Sequence, residues 1–204
     1  LIEKGEPQIP GEVAKDRIMA LMAEEGIHLP EHEQDALRLM AYNQAEGTIV
    51  DPGSIVGLEQ MIHMQVGPYT VRGKLDLAEV YPELGTAKVR DYKTSLSIPS
   101  QDDIEHAAKG YQLKFYACLL LWGVPEGESF GLGEGINEVE AELVFPRYTR
   151  DDGSLVGRTL FLARHDLTDF MDTLRLHLDQ LEERWQTGDF PAQTDHHGVH
   201  VSHT

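Results

Sequence analysis

Four polar groups on two neighbouring segments could bind a cation and activate a water molecule. Asp76 lies in the segment VRGKLDLAEV, and Asp91 and Lys93 lie in AKVRDYKT with Tyr92 between them. Two carboxylates and the main-chain carbonyl of Tyr92 are hard oxygen donors of the kind that Mg²⁺ prefers. A lysine beside such a cation could orient or deprotonate the attacking water, or stabilise charge that develops on a phosphate. The residue types therefore predict a metal-dependent hydrolytic site.

The two segments must meet for this chemistry to occur, and their pattern predicts a β-hairpin. At a period of two, Asp91 and Lys93 share one face of their segment, and Asp76 shares a face of the other with Lys74 and Arg72. The connection YPELGT supplies a proline and a glycine for the turn. Such a hairpin brings Asp76 close to Asp91 and Lys93. The alternative interpretation is an exposed strand, VRDYKTS, that only alternates charges.

Hydrophobic periodicity predicts the elements that surround the hairpin. The predicted helices cover residues 12–26, 31–46, 104–122 and 168–186. Further strands are predicted at residues 55–66, 139–148 and 156–163, the last two joined across an Asp-Gly turn. The apolar stripe of the last helix comprises Phe170, Leu174, Leu178, Leu181 and Trp185, and Trp185 is a candidate for the core. This order predicts a single α/β domain with a mixed central sheet flanked by helices.

Charge and cysteine content restrict the classes of function. The formal net charge is −18, so the surface repels polyanions at long range, and tight non-specific binding to nucleic acid is not expected. Cys118 is the only cysteine of the sequence, which excludes an internal disulfide or a cysteine-built cluster. No apolar run reaches membrane-spanning length and no secretory signal pattern occurs, which favours an intracellular location.

The predicted core helix carries a second pair of polar residues, Gln112 and Tyr116, four positions apart on one face. Such an amide and phenol could contact a nucleic-acid backbone or hold the lysine of the site in place. The alternative is a half-buried glutamine beside a tyrosine whose hydroxyl lies in water. A glycine-rich run at residues 131–135 lacks the following helix and the Lys-Ser/Thr pair of a phosphate-binding loop, so it is not assigned that role.

Three motifs together resemble those of the PD-(D/E)XK nuclease superfamily, and most of all its RecB-type branch, which includes CRISPR-associated and phage exonucleases. The motifs, in chain order, are Gly73-x-x-Asp76, Asp91-Tyr92-Lys93-Thr94 and Gln112-x-x-x-Tyr116. The likeness covers most of the chain after residue 50 and extends to Gly188-Asp189-Phe190-Pro191. Asp91 takes the place that many members of the superfamily fill with glutamate, as is usual in the RecB-type branch.

The resemblance implies a restriction-endonuclease-like fold and metal-dependent hydrolysis of DNA phosphodiester bonds. It implies that Asp76, Asp91 and the Tyr92 carbonyl hold Mg²⁺ or Mn²⁺, that Lys93 serves the attacking water, and that the Gln-Tyr pair of the core helix positions the substrate. The implied substrate is single-stranded DNA or DNA with free ends, cleaved by an exonuclease in repair, recombination or phage DNA processing. The implied location is the cytoplasm, or the host cytoplasm for a phage protein.

The chain departs from the RecB-type pattern near its beginning. The expected organisation is an N-terminal helical part at residues 1–50, the nuclease core at 51–187 and a tail at 188–204. The upstream G-x-x-x-H helix of the branch, whose histidine helps to bind metal, is missing. Residues 1–5 resemble the end of that helix, so the chain is expected to begin just past it. Glu59 is a candidate for an additional acidic group, and the alternative is an ordinary surface glutamate.

The tail departs from the pattern as well. Where many relatives place the last cysteine ligands of an iron–sulfur cluster, this chain has His197, His200 and His203, so no such cluster is expected. The three histidines could bind Zn²⁺ or Ni²⁺, and the alternative is a poorly packed terminus.

The acidity of the chain leaves more than one function open. It fits either a nuclease that needs a protein partner to capture DNA, or a catalytically silent module that binds DNA ends or a partner. A third hypothesis, an unrelated metal phosphoesterase, would leave Gln112 and Tyr116 unexplained.

Overall fold

A mixed sheet with helices packed against it forms the described part of this computed structural model, residues 9–47, 50–106 and 108–188. Its helices are α1 (Gly11–Glu24), α2 (Glu31–Gly47), α3 (Gln101–His106), α4 (Ala108–Trp122) and α5 (Arg164–Thr187). Its strands are β1 (Ile55–Val66), β2 (Tyr69–Tyr81), β3 (Thr86–Tyr92), β4 (Val124–Pro125), β5 (Glu138–Thr149) and β6 (Leu155–Ala163). The spatial order of the six strands is β4-β1-β2-β3-β5-β6. The predicted α/β fold with a mixed sheet is confirmed.

The predicted hairpin corresponds to β2 and β3, which pair in antiparallel fashion from Tyr81 opposite Thr86 to Leu77 opposite Arg90. A short 3₁₀ turn joins them and ends at Gly85, whose φ of 66° is favourable for glycine and costly for other residues. β1 continues this meander on the other side of β2, also antiparallel. β3 then pairs in parallel with β5, so the chain between them, including α3 and α4, forms a crossover.

The helix α4 lies across the sheet and contacts all five of the longer strands, β1, β2, β3, β5 and β6. It is buried on most sides, and Leu113, Ala117 and Cys118 are inaccessible to solvent. Burial raises the pKa of the Cys118 thiol to about 12, which keeps it a neutral apolar side chain. Gly73 allows α4 to pack closely on β2, because a Cβ at that position would lie 2.5 Å from Cδ1 of buried Leu119 and would force that side chain to shift.

The helix α5 only partly matches its predicted role. Leu167, Phe170 and Leu174 are buried beside α4 and the sheet, as the apolar stripe indicates. Farther along the same helix, however, Leu181 is 54% exposed and Trp185 is 74% exposed, so the assignment of Trp185 to the core is wrong. An apolar stripe defines one side of a helix, but it does not define where the sheet beneath that side ends.

The pairing of β1 with β2 is irregular at the level of Asp76. Glu59 follows Leu58, which pairs with Leu77, and therefore lies opposite Asp76. Among the described residues other than glycine, Glu59 alone has a positive φ, of 49°. Leu77 packs in a small separate cluster, whereas Leu75 packs in the main core, although positions 75 and 77 of a regular strand would share one face. These features indicate a bend in both strands beside Asp76.

Because the left-handed backbone is unfavourable for glutamate and not for glycine, we expect Glu59→Gly to increase the free energy of unfolding by up to about 1 kcal/mol. The lost ion pair with Lys74 is exposed and adds little to stability. Urea denaturation is the measurement, and Gln60→Gly, one position along β1, is the control that should destabilise the strand. If Glu59→Gly lowered the free energy of unfolding as much as Gln60→Gly, the inference that the backbone of Glu59 is strained would be contradicted.

Candidate functional site

The site lies where β2 separates from β3. Asp76 and Asp91 follow one step beyond Leu77 and Arg90, the last residues that the two strands pair. The gap is bridged by a side chain, because Asp76 Oδ2 accepts a hydrogen bond of 2.9 Å from the Tyr92 main-chain N–H. In an extended strand the N–H and C=O groups of one residue point to the same side, so the carbonyl of Tyr92 also faces this gap.

Asp91 and Lys93 form a contact pair on the same strand. Asp91 is only 5% exposed and lies on the face of β3 that carries Val89 into the main core. Lys93 Nζ is 2.5 Å from Asp91 Oδ2, and the lysine side chain remains partly exposed. The Lys93 main-chain N–H donates to the Val144 carbonyl of β5 at 2.8 Å, which fixes the backbone beneath the pair. The alternative of an exposed strand is therefore wrong for Asp91.

Gln112 and Tyr116 belong to the same neighbourhood. Gln112 Nε2 donates to Tyr116 Oη at 2.9 Å, so the phenol can donate its own hydrogen to a further acceptor. Burial raises the pKa of Tyr116, and the charges of Asp91, Lys93 and Asp76 also act on it. The face of α4 that carries the pair therefore lies within electrostatic reach of the two aspartates and the lysine.

The donor set suits a hard divalent cation. Asp76 uses one carboxylate oxygen for the Tyr92 N–H, which leaves its other oxygen available. Asp91 Oδ2 is buried and accepts no well-aligned hydrogen bond from the described residues, so the Lys93 ammonium is its ion-pair partner. In the parts of the chain described, no group of three or more His, Cys, Asp or Glu residues could hold a metal. Two carboxylates and a carbonyl fit a cation that keeps several waters, as Mg²⁺ does.

Burial raises the pKa of Asp91, the contact with Lys93 opposes that rise, and the charge of Asp76 adds to it. A protonated carboxylic acid is a poor metal ligand, so acidification would release a cation bound through Asp91. The pKa of Asp91 is higher in the folded than in the unfolded chain, so its contribution to the stability of the fold is greatest below the ordinary aspartate value of 3.8. That contribution is lost as pH rises through the folded-state pKa.

We therefore expect Mn²⁺ affinity to fall, on acidification, at a higher pH than an ordinary aspartate site would show. In Lys93→Gln the loss should begin at a still higher pH, because the charge that lowers the pKa of Asp91 is gone. Calorimetric titration with Mn²⁺ over a pH series measures both midpoints. If Lys93→Gln left the pH midpoint of Mn²⁺ binding unchanged or moved it to lower pH, the effect of Lys93 on the pKa of Asp91 would be contradicted.

The opposite face of β3 carries a network of buried and partly buried charges that the sequence did not reveal. Arg90 contacts Glu79 of β2, and its Nε is 3.3 Å from Glu142 Oε2 of β5. Lys88 Nζ is 2.6 Å from Glu140 Oε1 and 3.3 Å from Glu142 Oε2. These contacts join β2, β3 and β5 directly behind Asp91, and they hold β3 in register where β2 departs.

Glu79 is the most deeply placed member of the network. Its accessible surface is 0%, that of Arg90 is 8%, and Tyr81 Oη donates to Glu79 Oε1 at 2.9 Å. In the sequence, Lys88 and Arg90 alternate with apolar residues, and this pattern predicts a strand with one polar and one apolar face. It did not identify which acidic residues lie opposite them, because those come from two other strands.

The remaining candidates pair with another residue, lack the required structural context or lie outside the described residues. The Glu59 carboxylate contacts the Lys74 ammonium, and both side chains are more than half exposed. The glycine-rich run at 131–135 is followed by β5 and not by a helix. The histidines at 197, 200 and 203, the G-D-F-P residues after 188 and residues 1–5 lie outside the described residues.

A family model described as the PD-(D/E)XK nuclease superfamily matches residues 6–199. No curated protein matches the chain. Among the helices described, none is both long enough and apolar enough to cross a membrane.

Proposed function

The chain belongs to the PD-(D/E)XK nuclease superfamily, and from that premise we propose that it is a RecB-type exonuclease that uses Mg²⁺ or Mn²⁺ to hydrolyse DNA. Membership itself indicates a metal-dependent nuclease that cleaves phosphodiester bonds. The observation that carries the finer proposal is the contact of Lys93 with buried Asp91, next to the Asp76 carboxylate that receives the Tyr92 N–H. The motif order supports the RecB type.

The proposed metal ligands are Asp76, Asp91 and the Tyr92 carbonyl. A divalent cation bound there would polarise the scissile phosphate and stabilise the departing 3′ oxygen. Asp76 is held toward the gap by the Tyr92 N–H, so one of its oxygens is oriented before substrate arrives. Asp91 is fixed by the strand on which it lies and by burial.

Lys93 serves the attacking water in this proposal. Its Nζ stays beside Asp91 and partly open to solvent, so a water can reach it. The ammonium can orient that water or stabilise charge on the phosphate, and a neutral amine could accept the proton. Tyr116, which accepts from Gln112, donates its hydroxyl hydrogen to a phosphate oxygen and so helps to place the strand.

The proposed substrate is single-stranded DNA or a duplex with free ends, processed in repair, recombination or phage DNA metabolism. The net charge of −18 disfavours long-range capture of DNA by the chain alone. A protein partner that supplies a basic surface would overcome this, and cations at the site would attract phosphate locally.

Two observations favour a second candidate function, a silent module that binds DNA ends or a protein partner. Within the described residues only two carboxylates meet at the site, and the acidic surface opposes polyanions. The contact of Lys93 with Asp91 and the hydrogen bond that orients Asp76 favour the active enzyme.

The test is cleavage of end-labelled single- and double-stranded linear DNA with Mn²⁺, Mg²⁺ or EDTA. We expect cleavage with metal, none with EDTA, and release of short products from the ends. Closed circular DNA distinguishes the modes, because an exonuclease leaves it intact. Lys93→Ala protein prepared in the same way controls for contaminating nucleases. Inactivity with every metal and substrate would reject the proposed activity and favour the silent module.

A further inference from the structure

Lys74 and Glu59 lie beside Asp76 on the side toward β1. Lys74 is two residues before Asp76 on β2, and Glu59 lies opposite Asp76 on β1. The Lys74 ammonium contacts the Glu59 carboxylate, and both side chains are exposed by more than half. The hydrogen bond and charge of Glu59 raise the pKa of Lys74, and the charge of Asp76 adds to this effect. An exposed ammonium therefore lies within electrostatic reach of a proposed metal ligand.

The backbone of Glu59 is not explained by stability. A positive φ in a residue other than glycine is unfavourable and persists where the surrounding structure imposes it. The exposed ion pair with Lys74 offsets little of this cost. Strained positions of this kind cluster at sites that bind or react, and this one bends the strands at Asp76.

The cationic side chains on β3 and directly after it already have acidic partners. Lys93 contacts Asp91. Lys88 and Arg90 belong to the network on the opposite face. A nucleic-acid strand whose phosphate reaches Asp76 and Asp91 must approach a chain of net charge −18, so an exposed cation next to Asp76 would offset local repulsion.

We propose that Lys74 binds the substrate phosphate next to the scissile one, on the β1 side of Asp76, and that Glu59 is its counterion until DNA arrives. The inference rests on the proposed function of the same site. Phosphate replaces the Glu59 carboxylate on the ammonium, so binding exchanges one anion for another and needs no large movement of the lysine.

The test compares Lys74→Gln with wild type in two measurements. Fluorescence anisotropy with a labelled single-stranded oligonucleotide in Ca²⁺, over a salt series, gives the dissociation constant and its salt slope. Initial rates in Mn²⁺ give KM and kcat. Lys15→Gln removes a partly exposed lysine whose Nζ lies 2.7 Å from Glu12 Oε2 in α1, and it is the control.

For Lys74→Gln we expect a dissociation constant and a KM about tenfold higher, a kcat close to that of wild type, and a salt slope smaller by about one. Lys74→Arg should restore binding, because the contact needs charge. Glu59→Gln should bind DNA as tightly as wild type or more tightly, because it removes the competing anion. Lys15→Gln should change nothing.

The inference is overturned if Lys74→Gln matches Lys15→Gln in affinity and salt slope, if Lys74→Arg is as defective as Lys74→Gln, or if wild type does not bind the oligonucleotide. Its failure is distinguishable from failure of the proposed function. Wild type that cleaves DNA with no effect of Lys74→Gln rejects the lysine contact alone. Wild type that binds through Lys74 and does not cleave rejects the nuclease activity alone.

Discussion

The Lys93→Ala protein is expected to cleave DNA about 10²- to 10⁴-fold more slowly than wild type, the range over which a positioned proton-transfer group acts. The lysine contacts Asp91 and reaches solvent, so it is the group placed to orient water or stabilise charge on phosphate. The metal ligands proposed here are untouched by the change. Mn²⁺ affinity near pH 8 should therefore persist, and initial rates at saturating Mn²⁺ are the measurement.

Two further variants separate the roles that Lys93 could have. Lys93→Arg keeps a positive charge beside Asp91, but guanidinium does not give up its proton. Recovery in Lys93→Arg assigns charge stabilisation, and continued inactivity assigns proton transfer or exact placement of the water. Lys15→Ala, from an exposed pair in α1, should retain wild-type rates. Equal rates for Lys93→Ala and wild type would reject the site assignment.

Arg90→Leu is expected to lower the free energy of unfolding by about 3–5 kcal/mol, because it leaves the carboxylate of Glu79 buried without its cation. The hydrogen bond from Tyr81 remains, yet a neutral donor compensates a buried charge only in part. Urea denaturation followed by circular dichroism measures the change.

The double variant Arg90→Leu/Glu79→Leu tests that explanation. It removes both charges, so much of the lost stability should return, as observed when buried ion pairs are replaced by apolar residues. Arg38→Leu, which breaks an exposed pair with Asp35, should have little effect. If the double variant were as unstable as Arg90→Leu, the loss of stability would come from lost packing. The unpaired charge of Glu79 would then not be its cause.

Local pattern was enough to predict the hairpin and the residues that it brings together. The turn chemistry between residues 81 and 86 and the period of two around Asp91 require only neighbours in sequence. Whether Asp76, Asp91 and Lys93 bind metal and cleave DNA stays a prediction. The family match supports a nuclease, and the contacts of these residues are the basis for testing their roles.

Features that depend on distant strands could not be predicted in the same way. The acidic partners of Arg90 come from β2 and β5, so its burial follows from the order of strands in the sheet. Trp185 shares a helical stripe with buried Phe170, yet the stripe extends past the core. The unusual backbone of Glu59 arises from the bend between β1 and β2, for which glutamate itself gives no local signal.

The parallel pairing of β3 with β5 has a consequence for the order in which the chain gains activity. Lys88 and Glu140, which form an ion pair across these strands, are 52 residues apart in sequence. The crossover between β3 and β5 must therefore close before this ion pair can form. The β1-β2-β3 meander needs only short loops and is expected to form earlier. Until β5 pairs with β3, the Lys93 N–H has no bond to the Val144 carbonyl, and Asp91 is not covered by its neighbour on β5. A chain that is truncated before β5, or in which β5 has not yet folded, should therefore be unable to degrade nucleic acid. We expect nuclease activity only after β5 has been synthesised and has paired with β3.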